Sequence, residues 1–267
     1  MSAAGLRHVD PENAANGGVL RRSWRQAIAV LASGLGILAA ATLAGSEVAT
    51  LFDAWVDIDT PRAYSAGTLE SFSTARLGVF LATFQITALA LTLLLARAFD
   101  RSPIQLMALR MPPGGLADVA KFVLALIVLA AGYASAVFAV DHGALLGDVK
   151  PFAAMMRSGT WWIVLLAAAV GAPIAEETLF RGLIYGVLRA SPVGQLGAAL
   201  VTAFVWASVH AQYSVYGLGA IFLIGLYLAW VREKTGSIVA PMLCHGVYNG
   251  SIVLALMLAP EAMFQAV

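Results

Sequence analysis

Charged residues are scarce in this chain of 267 residues, because Asp, Glu, Lys and Arg together make up only 12% of it while 60% of the residues are hydrophobic. Soluble globular domains carry about 25% charged residues. A chain with half that share has too little polar surface to cover a globule in water. The composition therefore excludes an ordinary soluble domain.

Cysteine and net charge are almost absent as well. The single cysteine, Cys244, rules out an intrachain disulfide bond. The formal net charge is +1, so no nucleic-acid partner is expected. The sequence also lacks a heptad repeat, a low-complexity tract and a short-period repeat.

Long apolar runs are what the sequence does have, and runs of about 20 apolar residues indicate membrane-spanning helices. The runs predict an all-α fold, a polytopic transmembrane helical bundle with seven spans. A break of the fourth span near Pro173 would make eight. The predicted spans are Ala27–Phe52, Leu77–Ala98, Ala120–Val140, Trp161–Ala190, Gly194–Tyr213, Tyr216–Val231 and Ile238–Leu258.

Lys and Arg are distributed unevenly between the two sides of this bundle. With the N-terminus inside, the inner segments hold eleven of them, and the outer segments hold only Arg62, Arg76, Lys150 and Arg157. Cytoplasmic loops are the ones that carry an excess of Lys and Arg. We therefore expect an integral protein of the bacterial inner (cytoplasmic) membrane, in contact with membrane lipid, with its N-terminus in the cytoplasm.

The domain organisation follows from the same runs. Residues 1–24 are polar and predict a flexible cytoplasmic tail, and residues 25–267 predict a single membrane domain. Within that domain, residues 25–160 are expected to be supporting helices. Residues 161–258 have very short connections and contain the unusual polar residues, so they are expected to form the functional core.

Three ionisable residues, Glu176, Glu177 and Arg181, interrupt the fourth apolar run. Each costs roughly 2.5–3.5 kcal/mol near the middle of a membrane, so each needs a partner or water. Glu177 and Arg181 have the i, i+4 spacing of a helical ion pair. Glu176 points about 100° away and has no cation on its own helix. A purely structural ion pair is one interpretation, but we favour a catalytic carboxylate at Glu176.

Two of the four histidines also lie in apolar runs. His210 follows Trp206 by four residues, and Asn249 follows His245 by four. An isolated histidine inside a membrane is often a hydrogen-bonded packing residue. A histidine and an amide on the same helix face instead suit a polarised carbonyl oxygen.

Signatures of other proteases are missing. The sequence contains neither His-Glu-x-x-His nor Gly-x-Ser-x-Gly. Cys244 precedes His245, but adjacent residues on a helix diverge by about 100° and make a poor nucleophile–base pair. Cys244 is therefore interpreted as a small packing residue.

The residues above, in this order, resemble the motifs of the CPBP family. Its members include the type II CAAX prenyl endopeptidases and the bacteriocin-processing, or Abi, proteins. The resemblance covers roughly residues 161–258, with Trp206 at a position where the family more often has Phe. It implies an intramembrane endopeptidase that cleaves a membrane-associated protein or peptide. The implied roles are a general base at Glu176, a water ligand at His210, oxyanion stabilisation by His245 and Asn249, and support by Glu177 and Arg181.

Several alternatives remain open. Glu176, His210 and His245 match the ligand set of a catalytic zinc site, which would make the chain a metalloprotease. We favour a metal-free mechanism that needs no cofactor. In it, Glu176 and His210 act on the water, and His245 and Asn249 act on the oxyanion. A bacteriocin-immunity or partner-binding membrane protein would keep the same fold without catalysis. A proton-coupled transporter is disfavoured, since no inverted repeat is evident.

Overall fold

A computed structural model describes residues 22–56 and 66–265 of the chain. Within those residues the regular structure is entirely helical, which confirms the all-α prediction. The predicted tail falls mainly outside the described residues. In chain order the helices are α1 Trp24–Val56, α2 Ala66–Phe99, α3 Pro103–Leu106, α4 Gly115–Met155, α5 Trp161–Arg189, α6 Gly194–Ser208, α7 Val215–Thr235, α8 Val239–Leu258 and α9 Ala262–Gln265.

Six of the described helices, namely α1, α2, α4, α5, α7 and α8, are long and apolar enough to cross a membrane. The predicted count of seven or eight spans was therefore approximate. The fifth predicted span, Gly194–Tyr213, forms the 15-residue helix α6. The chain leaves the helix after Ser208, and residues 209–214 form a connection before α7 begins.

Helix α5 lies at the centre of the bundle. Every residue from 177 to 188 is buried. A helix segment that is buried around its whole circumference is enclosed by its neighbours, and α5 contacts α1 and α2 as well as α6, α7 and α8. It continues through Pro173 without a break, but it contains two π-helical segments, Ala167–Gly171 and Thr178–Ile184.

Helix α4 consists of two pieces. Asp141 has non-helical backbone angles (φ −152°, ψ 82°), and its Oδ1 accepts a hydrogen bond of 2.9 Å from the backbone N–H of Ala144. An aspartate that accepts from the residue three positions ahead is a typical N-cap. The first piece, 115–140, ends where the sequence predicted the end of the third span. The second piece, 142–155, was not predicted.

The connector between α2 and α4 packs against the Arg189 end of the bundle. The backbone N–H of Ile238 donates to the carbonyl of Ala108 at 3.0 Å, and Arg110 Nε donates to the carbonyl of Gly236 at 2.7 Å. The connector therefore binds the turn between α7 and α8, after which the helix that carries His245 begins.

Gly246 marks the closest approach of α8 to α5. A Cβ at this position would lie 2.6 Å from the carbonyl oxygen of Ala169, whereas a Cβ on Gly132 of α4 would meet nothing within 4 Å. Small residues at helix crossings let membrane helices pack at short range. A side chain at this position would push apart α5 and α8, the two helices that carry Glu176 and His245.

Gly246→Ala is expected to destabilise the protein by roughly 1–3 kcal/mol, because overpacking forces backbone shifts. Gly132→Ala is the matched control and is expected to be neutral or slightly stabilising, since Ala is about 1 kcal/mol better than Gly inside a helix. Thermal unfolding of both variants in detergent measures the difference. Equal unfolding temperatures would contradict the close packing of α8 on α5.

Candidate active site

Trp206 of α6 brings three of the predicted site residues together. Its indole Nε1–H donates a 2.6 Å hydrogen bond to Oε2 of Glu176. Its ring meets the ring of His210 at a centroid distance of 5.5 Å and that of His245 at 5.4 Å, both edge to face. The helices α5, α6 and α8 and the connection after α6 thus converge on one buried indole.

Glu177 lies in a different environment from its neighbour Glu176. The Glu177 side chain is 0% exposed, and its Oε1 accepts hydrogen bonds of 3.0 Å from both Arg181 Nη1 and His245 Nδ1. The pairing with Arg181 agrees with the i, i+4 spacing. The bond from His245 was missed, because sequence spacing carries no information about contacts between α5 and α8.

Arg181 is also completely buried, and three groups compensate its charge. Besides the Glu177 carboxylate, its Nη2 donates to the carbonyl of Gly225 in α7 at 3.2 Å, and its guanidinium carbon lies 4.4 Å from the centre of the Trp206 ring. A guanidinium over an indole face gains cation–π stabilisation that grows as water is removed. Arg181 therefore links α5 to α6 and α7.

Hydrogen-bond partners indicate which ring nitrogen of each histidine carries the proton. His210 Nδ1 lies 2.8 Å from the carbonyl oxygen of Trp206, which can only accept. His245 Nδ1 faces the Glu177 carboxylate, which also accepts. Both Nδ1 atoms are thus inferred to donate, so in a neutral ring Nε2 is an acceptor. His245 offers a second donor, at Nε2, only in a ring with hydrogen on both nitrogens.

Asn249 lies one turn beyond His245 and is held by the first π segment of α5. Its Nδ2 donates to the carbonyl of Ala168 at 2.9 Å, and Gln85 of α2 donates through Nε2 to the adjacent carbonyl of Ala167 at 3.0 Å. A π segment interrupts the regular α-helical ladder and is frequent at functional sites. An amide nitrogen has two hydrogens, so Asn249 keeps a second donor.

Gln85 was missed by the sequence reasoning, which found no motif in the first three spans. The one available signal was an amide in the middle of the second apolar run. Cys244, by contrast, is buried in the hydrophobic core, in agreement with its interpretation as a packing residue.

The fit of the candidate site to zinc is poor. Among the described residues, no three His, Cys, Asp or Glu side chains form a group that could hold a metal ion. The alternative ligand set of Glu176, His210 and His245 contacts Trp206 but does not form such a group. Catalytic zinc needs three protein ligands about 2.0–2.2 Å from one ion.

Comparison with known proteins points to the same part of the chain. Residues 158–251 match the model of the Rce1-like family, described as type II CAAX prenyl endopeptidase Rce1-like. The resemblance to the CPBP family is confirmed over this region. The matched region, residues 158–251, contains all the site residues predicted from the sequence, from Glu176 to Asn249.

Two curated relatives overlap with part of the chain. An uncharacterised 24.3 kDa protein of Escherichia coli is 34% identical over 85 residues, which is 31% of this chain and 39% of that protein. The membrane-embedded CAAX protease MroQ of Staphylococcus aureus (strain USA300) is 26% identical over 113 residues, or 39% of this chain and 43% of MroQ. The chain thus spans less than half the length of these relatives. No solved structure gives a significant match.

Glu177→Ala and Arg181→Ala are each expected to lower the yield of folded protein and its unfolding temperature. Removing one partner of a buried ion pair leaves the other charge uncompensated and costs roughly 3–5 kcal/mol. The double variant should lose less than the sum of the two single losses, because it leaves no unpaired charge. Thermal unfolding in detergent measures all three variants.

The ion pair of Asp118 and Lys121 provides the matched control. Its side chains are 42% and 76% exposed, and exposed pairs contribute at most about 1 kcal/mol. Alanine at either position should therefore change little. Strict additivity of the Glu177 and Arg181 effects would show that the buried pair contributes nothing as a pair.

Proposed function

We propose that the protein is a CAAX-protease-like intramembrane endopeptidase that hydrolyses a peptide bond in a membrane-associated protein or peptide. One observation carries the proposal: within the matched region, residues 158–251, Glu176 and two histidines surround one buried indole, while the adjacent Glu177 is bound by Arg181. A half-buried carboxylate beside histidines suits general-base catalysis. A purely structural cluster would not need two glutamates in separate environments.

In the proposed reaction, Glu176 is the general base. Trp206 binds its Oε2, and Oε1 takes a proton from a water molecule as that water attacks the scissile carbonyl carbon. His210 accepts a second hydrogen bond from the water through Nε2. This use of His210 agrees with an Nδ1 that is bound to the Trp206 carbonyl.

The attack converts the carbonyl oxygen into an oxyanion. The second N–H of Asn249 and the Nε2–H of protonated His245 are proposed to stabilise it. Glu177 fixes the ring of His245 through Nδ1. As the tetrahedral intermediate collapses and the C–N bond breaks, Glu176 returns its proton to the leaving nitrogen, so the carboxylate is regenerated.

The chain is an integral membrane protein, as its six apolar helices show. We further propose that it lies in the bacterial cytoplasmic membrane with the Arg189 end of α5 in the cytoplasm, following the excess of Lys and Arg on that side. At 1.5 Å per residue, Glu176 is about 20 Å from that end of α5, and His245 is about 9 Å from the start of α8. Because His245 lies near the start of α8, we propose that the substrate reaches the site from the cytoplasmic side of the membrane.

Glu176→Gln is expected to abolish cleavage while leaving the protein folded. Glutamine still accepts the bond from Trp206 but cannot take a proton from water, and general-base catalysis contributes about 10²–10⁴-fold in rate. Membrane proteomes from cells with the wild-type and variant proteins, compared for shortened C-termini or leader peptides, identify the substrate. Turnover of that substrate is then measured in liposomes.

Glu261→Gln is the matched control, because Glu261 is exposed and lies beyond α8. It should retain full turnover. Near-normal turnover by Glu176→Gln would refute the assignment of the base. If a phenotype of the wild type survives in Glu176→Gln and no cleaved protein is found, the non-enzymatic immunity or partner-binding function is the correct one.

Activity is expected to be independent of metal. In the metal-free mechanism Glu176 and His210 act on the water, and His245 and Asn249 act on the oxyanion, so no residue is left to bind zinc. Among the described residues, the side chains do not form a group that fits a zinc ion. Purified protein should contain no stoichiometric zinc by elemental analysis and should keep its turnover after exhaustive chelation. Loss of turnover on chelation with restoration by zinc alone would overturn this mechanism.

A further inference from the structure

His210 is the one proposed catalytic side chain that does not lie on a helix. It belongs to the connection 209–214 between α6 and α7, which folds as successive turns: His210 N–H donates to the carbonyl of Ala207 at 3.0 Å, and Tyr213 N–H donates to the carbonyl of His210 at 3.1 Å. Sites on loops are less accurately positioned than sites on helices unless other groups hold the loop. The position of His210 thus depends on what packs against this connection.

The second piece of α4, residues 142–155, binds the end of the connection through Asp148. Its Oδ1 accepts a 2.7 Å hydrogen bond from the backbone N–H of Ser214, and its Oδ2 accepts one of 2.7 Å from Ser214 Oγ. Ser214 Oγ in turn accepts from the N–H of Gly217 at 3.1 Å and is the N-cap of α7. Asp148 therefore holds the residue at which the connection ends, and its negative charge lies at the favourable end of the α7 dipole.

A second contact joins the same helix face to the connection. Phe152, four residues after Asp148, stacks on Tyr213 at a centroid distance of 6.4 Å and an interplanar angle of 15°. The Tyr213 ring lies 6.2 Å from that of His210. Residues four apart share a helix face, so Asp148 and Phe152 hold two successive residues of the connection, one of which touches His210.

We propose that Asp148 is a positioning residue for His210, acting through Ser214 and Tyr213. The helix break at Asp141 makes this possible, because it ends the long first piece of α4 and starts the helix that carries Asp148. Asp148 lies outside residues 158–251 and belongs to none of the motifs. The expected effect of Asp148 on turnover rests on the proposed function. Its expected effect on how firmly residues 209–214 are held does not.

Asp148→Ala is tested against Asp148→Asn and a matched control, Asp118→Ala, which removes an exposed carboxylate from the other end of α4. The first measurement is hydrogen–deuterium exchange of residues 209–217 in the full-length protein in detergent. Asp148→Ala should raise exchange there by about tenfold or more and leave α5 and α8 unchanged. Asp148→Asn still accepts from the Ser214 N–H and can donate to Ser214 Oγ, so it should restore most of the protection.

The second measurement is turnover of the identified substrate. Misplacement of a catalytic group by about 1 Å can cost 10²-fold in rate. Asp148→Ala should therefore lower kcat by about 10- to 100-fold with KM within about twofold, and Asp148→Asn should recover most of the loss. Asp118→Ala should match the wild type in both measurements.

The possible outcomes are distinct. Unchanged exchange in residues 209–217, or a rise in exchange across the whole bundle with a lower unfolding temperature, overturns the proposal, since the second result means a general structural role. Increased local exchange with unchanged kcat also overturns it. Increased local exchange in a protein whose wild type has no turnover supports the positioning of the connection by Asp148 and refutes the proposed protease function instead.

Discussion

An ionised carboxylate at the centre of an apolar helical bundle has no water to stabilise it, so it must be bound by cations or N–H donors. Glu177 meets this constraint through one of its oxygens, Oε1, which binds Arg181 of its own helix and His245 of α8. Arg181 then requires further partners and finds them in Trp206 of α6 and Gly225 of α7. Four helices are thereby joined by the compensation of one buried charge.

The two adjacent glutamates differ because a helix turns about 100° per residue. Glu177 faces the buried cation, and Glu176 faces Trp206 and remains half-buried. Neighbouring titratable groups with contrasting environments are typical of sites that separate a structural charge from a reactive one. This contrast is the physical basis for proposing Glu176 as the base.

The first π segment of α5 connects the motif-bearing helices with the rest of the bundle. Its carbonyls at Ala167 and Ala168 accept side-chain amides from Gln85 of α2 and Asn249 of α8. Helix α2, outside the matched region, therefore contributes a specific polar contact to α5 as well as apolar packing. In the same way, the second piece of α4 contacts the connection that carries His210.

The sequence by itself determined the helical class, the membrane location and the pairing of Glu177 with Arg181, because apolar runs and i, i+4 spacing are local properties. Only the tertiary structure decided that Trp206 binds Glu176 and that His245 binds Glu177. It also decided that α6 stops at Ser208. The contacts of Gln85 with α5 and of Asp148 with the connection that carries His210 were likewise decided by the tertiary structure. These contacts depend on how each helix is rotated about its axis and how far it lies from its neighbours, and a pattern along one chain segment contains neither quantity.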